Sequence, residues 1–254
     1  MPSRRQGRSK ADGSGACGGS ARGWGVLAAI YPIRLKMSMA YIVLGERAVL
    51  VDTGCAGEEE RILSGLRRFN VAPERVALVL HTHGHMDHAG STRALKQRLR
   101  VPAAVHPADA GKMRIGNSAP LVPLRLSSRI LSLFLDPRFP PVAPDVMVEE
   151  GYSLREFGIA ATAVHTPGHT PGSISILFDD GRAIAGDLMM GGIWGGAYRR
   201  FDPGYHYYAE DLTELRRSIR KLLERGAKTI YLGHGGPLEA ARVRERFEAD
   251  FSGI

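Results

Sequence analysis

Apolar residues along this chain keep two rhythms. Tyr41-Ile42-Val43-Leu44 and Ala48-Val49-Leu50-Val51 flank Gly45-Glu46-Arg47, predicting a β-hairpin that ends at Asp52. Val76-Ala77-Leu78-Val79-Leu80 is wholly apolar, as in a strand covered on both faces. Between these runs Ile62, Leu63, Leu66 and Phe69 recur at helical spacing, so a helix is expected over 58–69. Ser91 is read as the cap of the next helix, with Ala94, Leu95 and Leu99 turned inward, and residues 101–105 as another strand.

The second half repeats the first. Residues 159–164 read as a strand, and residues 174–178 and 183–185 as a hairpin across Asp179-Asp180-Gly181-Arg182. Leu212, Leu215, Ile219, Leu222 and Leu223 mark an amphipathic helix stopped at Gly226, before a last strand at 229–232. Between the halves, Pro120, Pro123, Pro137, Pro140, Pro141 and Pro144 bracket the apolar stretch 124–135, giving an inserted helical lid or wall around 107–145. That stretch is expected to pack in the core, with a greasy pocket wall, a homodimer contact or, ranked last, a peripheral membrane contact as alternatives. Strands and helices mixed in this way predict an α/β (α+β) architecture, two packed sheets between helical layers.

A chain of 254 residues, 44% hydrophobic and 24% charged, suits one globular domain, here placed over 24–254. No apolar run approaches the length of a membrane-spanning helix. Half of the formal charge of +8 belongs to residues 1–23, where Arg4, Arg5, Arg8, Lys10 and Arg22 stand against Asp12. That Gly/Ser-rich segment is expected to be a disordered leader; it carries no continuous apolar stretch of a secretion signal. The remaining charge is spread too thinly to favour a nucleic-acid partner over a small-molecule substrate. Cys17 and Cys55, the two cysteines, give no disulfide framework, so a cytoplasmic location is expected.

Metal-ligating side chains gather where the predicted strands stop. His81-Thr82-His83-Gly84-His85-Met86-Asp87-His88 follows the strand at 76–80, and His169, Asp187 and His234 follow later strands. Imidazole and carboxylate suit borderline divalent ions such as zinc, with iron or manganese as alternatives. His83 and His85 point the same way and serve one ion, whereas Asp87 and His88 face a second. One loop cannot close two coordination shells, so His169 is expected to complete the first, His234 the second, and Asp187 to bridge them. Two zinc ions per chain, about 3.5–4 Å apart, would share a nucleophilic hydroxide and need no serine or cysteine. Asp87 is given a catalytic role besides its place as a ligand. His81, His106 and His165 are expected to be structural; His81 rivals His83 only in a shifted register.

Thr82-His83-Gly84-His85-Met86-Asp87-His88 resembles the T-H-x-H-x-D-H signature of the metallo-β-lactamase superfamily. The resemblance extends, in family order, to Val51-Asp52-Thr53-Gly54, Thr166-Pro167-Gly168-His169-Thr170, Gly186-Asp187 and Gly233-His234-Gly235, over about residues 25–245. It implies an αββα sandwich with a dimetal site at one edge, and Asp52 supporting that site rather than ligating. It also implies the register that starts at His83. Aspartate at 187 is similar to the glyoxalase II and lactonase branches. Acyl-homoserine lactonases, however, typically carry tyrosine where this chain has Met190, and the basic glutathione segment of glyoxalase II has no good counterpart in 188–196.

The expected activity is therefore metal-dependent hydrolysis of a small ester, thioester or lactone. The alternatives are a persulfide-dioxygenase-like enzyme with a single iron and, ranked lower, a phosphodiesterase or nuclease. Tyr198, Arg199 and His206, in the aromatic and basic segment after Asp187, are candidate substrate contacts, the arginine suited to a carboxylate or phosphate.

Overall fold

The structure, a computed structural model, describes residues 27–252. The leader expected at 1–23 lies outside the described residues. Six strands form the first sheet, in spatial order β1 (Ala29–Arg34), β2 (Met39–Leu44), β3 (Ala48–Val51), β4 (Val76–Leu80), β5 (Ala103–Val105) and β6 (Val146–Met147). The pairings β1–β2 and β2–β3 are antiparallel, and β3 through β6 run parallel. The second sheet takes β7 (Ala161–His165), β8 (Ile174–Phe178) and β9 (Arg182–Ile184), then adds β12 (Thr229–Tyr231) parallel to β9 and β13 (Leu238–Glu239) at its edge. A separate hairpin, β10 (Met190–Ile193) with β11 (Tyr198–Gly204), lies between β9 and β12 in sequence.

Alternation sorts each strand's side chains into layers. Tyr41, Val43, Val49, Val51, Leu78 and Leu80 face Ala163, Ile174, Ile176 and Ile184 in the core between the sheets. The opposite faces of β2 and β3, with Ile42 and Leu50, pack on Ile62 and Leu66 of α1 (Glu59–Arg68) and Leu95 of α3 (Thr92–Leu99). Ala183 and Ile230, on the outer face of the second sheet, meet Leu215, Ile219 and Leu222 of α6 (Leu212–Glu224) and Phe247 of α7 (Ala240–Phe251). The layers run helix, sheet, sheet, helix, the αββα sandwich that the sequence predicts. None of the helices among the described residues is long and apolar enough to cross a membrane.

Ser91 departs from expectation. It occupies the N-cap position of α3 without capping it. Its hydroxyl accepts the Glu58 backbone N–H at 2.8 Å and donates to the Cys55 carbonyl at 2.6 Å, so it closes the entry to α1. Residues 107–145 contain α4 (Pro107–Ile115), anchored by Ala110 and Met113 against Phe139 and Val142, and α5 (Leu126–Ser132). The core packing expected for 124–135 is met at Leu124 but not at Leu126, Leu133 and Phe134, which are 75%, 79% and 81% exposed. Polar contacts hold α5 instead: Ser128 is buried and its carbonyl accepts the Tyr208 hydroxyl at 3.1 Å.

Candidate metal centre

Chain reversals at the same end of both sheets bring the sequence-predicted ligands together. The stretch from His81 to His85 follows β4 and leads into the short helix α2 (Met86–Ala89). His169 lies in the turn between β7 and β8, Asp187 follows β9, and His234 follows β12. Glycine permits the close approach: a Cβ at Gly233 would overlap the Asp187 carboxylate and the His88 ring.

His83, His85 and His169 form one group whose ligand atoms lie within 4.8 Å of one another; Asp87, His88, Asp187 and His234 form a second. Asp187 stands between them. Its Oδ2 lies 3.3 Å from His234 Nε2, 3.5 Å from His169 Nε2 and 3.9 Å from His83 Nε2. Its Oδ1 lies 3.3 Å from His88 Nε2. Asp87, whose side chain is 14% exposed, reaches 3.3 Å from His234 Nε2 at the rim.

The ring nitrogens that face outward are held. His88 Nδ1 donates to Asp52 Oδ2 at 2.8 Å, and His169 Nδ1 donates to the Tyr208 carbonyl, also at 2.8 Å. His83 Nδ1 meets Thr82 Oγ1 at 3.1 Å, and that hydroxyl donates to Asp52. Asp52 also accepts the Thr82 amide at 2.8 Å, and it sits at φ +62°, a left-handed conformation that aspartate tolerates better than most residues. The opposite nitrogens of His83 and His88 are bare, whereas His169 Nε2 meets His85 Nδ1 at 3.0 Å. His83 Nε2, His85 Nε2, His88 Nε2, His234 Nε2 and Asp187 Oδ1 are buried without a hydrogen-bond partner. Buried polar atoms left unpaired carry a penalty of about 1–3 kcal/mol each, and a cluster of imidazoles and carboxylates holding five of them fits a cation site. Nitrogen and carboxylate oxygen in this ratio fit zinc or iron.

Electrostatics divide the histidines of the cluster. Burial, with His88 adding to it, holds His83 well below the ordinary imidazole range; burial and His169 do the same to His85. Burial would also depress His234, but Asp187 and Asp87 overcome it and raise the ring to about 10. His88 is raised for the same reason, by Asp187, Asp87 and Asp52.

The remaining candidates divide. His206 joins the site, with Nε2 3.4 Å from Asp187 Oδ2, and forms a third group with His169 and Asp187. The structure does not bring Tyr198 and Arg199 to the histidines. They lie exposed on β11 along a separate concavity with Arg125, Tyr207 and Arg242, and Arg199 pairs with Asp202. His81 stays outside the three groups, 3.0 Å from Thr92 Oγ1, and His106 stacks on His165 at 4.1 Å.

One residue that sequence reasoning passed over ties the site together. Asp109, fully buried on α4, accepts Gly84 N–H at 2.8 Å, the Thr170 hydroxyl at 2.7 Å and Gly172 N–H at 3.0 Å. It thereby joins the loop carrying His83 and His85 to the turn carrying His169. A lone aspartate in an ordinary helical stretch gives no local signal of this.

Comparison with known proteins agrees with the geometry. The sequence profile described as the metallo-beta-lactamase superfamily matches residues 33–234. A probable metallo-hydrolase of Methanocaldococcus jannaschii is 27% identical over 206 residues, covering 78% of this chain and 87% of that protein. A hydroxyacylglutathione hydrolase of Haemophilus influenzae is 29% identical over 150 residues, covering 58% of this chain and 64% of that protein. The solved structure of TTHA1623 in a di-iron-bound form superposes with a TM-score of 0.61 at 27% identity, over 85% of this chain and 97% of that one.

Proposed function

This chain belongs to the metallo-β-lactamase superfamily of metallo-hydrolases, and on that premise we propose that it holds two divalent metal ions and hydrolyses a small ester, thioester or lactone. His83, His85 and His169 would hold one ion, and Asp87, His88 and His234 the other, with Asp187 placed between the two groups. The observation that carries the reading is the set of five unpaired buried ligand atoms drawn from both halves of the chain. Zinc is the favoured metal; the di-iron-bound neighbour supports iron as the alternative. When bound, such a pair supplies Lewis acidity and a water acidified toward neutral pH.

The chain's own residues prepare the rest. Asp52 orients the His88 ring directly and the His83 ring through the Thr82 hydroxyl, while the Tyr208 carbonyl orients His169. Asp87 is held ionised: burial opposes this, but His88 and His234 draw its pKa down. At the rim it offers an acceptor for a proton of the attacking water. In the net reaction water adds to the acyl carbon, and the alcohol or thiol leaves with a proton. The match to a hydroxyacylglutathione hydrolase supports including thioesters.

A panel of esters, thioesters and lactones, assayed on zinc- and iron-loaded protein beside His85→Ala and Asp187→Ala, tests the proposal. Turnover of at least one class, lost in both folded variants, is the expected result. Fewer than one metal per chain, or a product formed only with dioxygen, would overturn it.

A further inference from the structure

His206 faces the metal centre as an eighth polar side chain, and its hydrogen bonding differs from that of every proposed ligand. The ring is 6% exposed and lies edge-on to His169 with centroids 4.7 Å apart and planes at 90°. It sits 5.1 Å from the His234 ring, and its Nε2 is directed at Asp187 Oδ2. Behind it, the Tyr208 backbone N–H donates to His206 Nδ1 at 3.2 Å. A peptide N–H can only donate, so in this contact Nδ1 presents its lone pair and the proton of the neutral ring resides on Nε2. The Tyr208 carbonyl lies 3.3 Å from the same nitrogen and accepts the His169 Nδ1 proton at the shorter distance of 2.8 Å, so the Tyr208 N–H is the nearer partner of His206 and the carbonyl is shared.

The backbone of one residue, Tyr208, thus meets two neighbouring imidazoles. His169 donates to the carbonyl of Tyr208 and turns Nε2 inward as a lone pair, 3.0 Å from His85 Nδ1. His206 accepts from the amide of Tyr208 and turns an N–H inward. For His206 to ligate through Nε2, its proton would have to move to Nδ1, where it gives up the Tyr208 N–H at 3.2 Å for a share of the carbonyl at 3.3 Å. Met190, three residues after Asp187, is buried and offers no donor of its own.

We propose that His206 is a catalytic hydrogen-bond donor rather than a ligand: its Nε2–H stabilises the negative charge that develops on the acyl oxygen as water adds. This inference rests on the hydrolase reading above. A fixed, neutral donor in a site shielded from water needs no reorganisation as that charge appears, and removing one such donor costs about 100–1,000-fold in kcat. The ring gives up no proton in this role, so its contribution does not depend on how difficult the leaving group is.

The test compares His206→Ala and His206→Gln with the parent chain, all zinc-loaded, on p-nitrophenyl acetate and phenyl acetate, whose leaving groups differ in basicity. Both variants are expected to keep the parent's metal content and the absorption spectrum of the cobalt form. For the alanine variant kcat should fall about 100-fold or more on both esters, with KM changed far less, and glutamine should recover at least about tenfold through its amide N–H. Loss of a metal or a shifted cobalt spectrum would make His206 a ligand. Unchanged kcat would remove it from the reacting oxygen, and a fall confined to phenyl acetate would make it a proton donor to the leaving group. Should the parent chain hydrolyse neither ester, that reading of the activity fails for these substrates, while 15N-histidine NMR of the zinc-loaded chain still decides the donor: protonated Nε2 supports it, metal-bound or unprotonated Nε2 overturns it.

Discussion

Replacing Asp109 with alanine removes a buried carboxylate on which three donors converge. The Thr170 hydroxyl keeps Ser173 Oγ at 2.8 Å, but the amides of Gly84 and Gly172 lose their acceptor. At about 1–3 kcal/mol for each buried donor left unsatisfied, the loss is about 2–6 kcal/mol. Asparagine is the milder change. With its oxygen in the Oδ2 position it still serves Gly84 and Thr170, but its NH2 then faces the Gly172 N–H, costing about 1–3 kcal/mol. Urea unfolding followed by circular dichroism reads this as a lowered midpoint at constant slope. Because the bridge fixes the loop of His83 and His85 against the turn of His169, zinc affinity measured by chelator competition should also weaken about 10–100-fold. Asp136→Ala, at an exposed carboxylate paired with Arg138, is the control and should move neither reading. If Asp109→Ala unfolds at the parental midpoint and holds zinc as tightly, the bridge contributes nothing and the reasoning fails.

Other perturbations probe the site differently. Gly233→Ala pushes a methyl group into the Asp187 carboxylate and the His88 ring, so the folded variant should lose bound metal; full metal content would contradict the packing. In the metal-free chain the His234 pKa of about 10 and the raised His88 keep both rings protonated at neutral pH, so a metal must displace those protons. Calorimetry near pH 7.5 in buffers of different ionisation enthalpy should show protons released on metal loading, the His234 share declining as pH rises through about 10; no release would refute the protonation states. Asp52→Asn keeps a residue type that accepts the left-handed backbone but removes the charge behind His88, and metal affinity should drop about 10–100-fold. An affinity equal to the parent's would show that the Asp52 charge is idle.

The parts of this architecture legible in the sequence are those where local pattern and tertiary role coincide. β4 reads as apolar throughout because it is buried on both faces, and the ligands announce themselves because each follows a strand end. What went unread depends on contacts between distant segments. β1 carries Pro32 and sits at the sheet edge, while β10 and β11 are rich in glycine and charge, so neither shows a strand pattern. α7 buries only Val243 and Phe247, too few apolar positions to mark a helix. Asp109 and the amide of Tyr208 matter through what folds against them from elsewhere in the chain. Nor does the sequence say that the Ser91 hydroxyl serves α1 rather than α3, because the Glu58 amide approaches only in three dimensions.

Anomalous scattering at the zinc edge from crystals of zinc-loaded protein tests the central claim most directly. Two peaks are predicted, one enclosed by His83, His85 and His169 and the other by Asp87, His88 and His234, with Asp187 between them. A crystal in which these residues surround no peak, or in which zinc binds only elsewhere on the surface, would contradict the account.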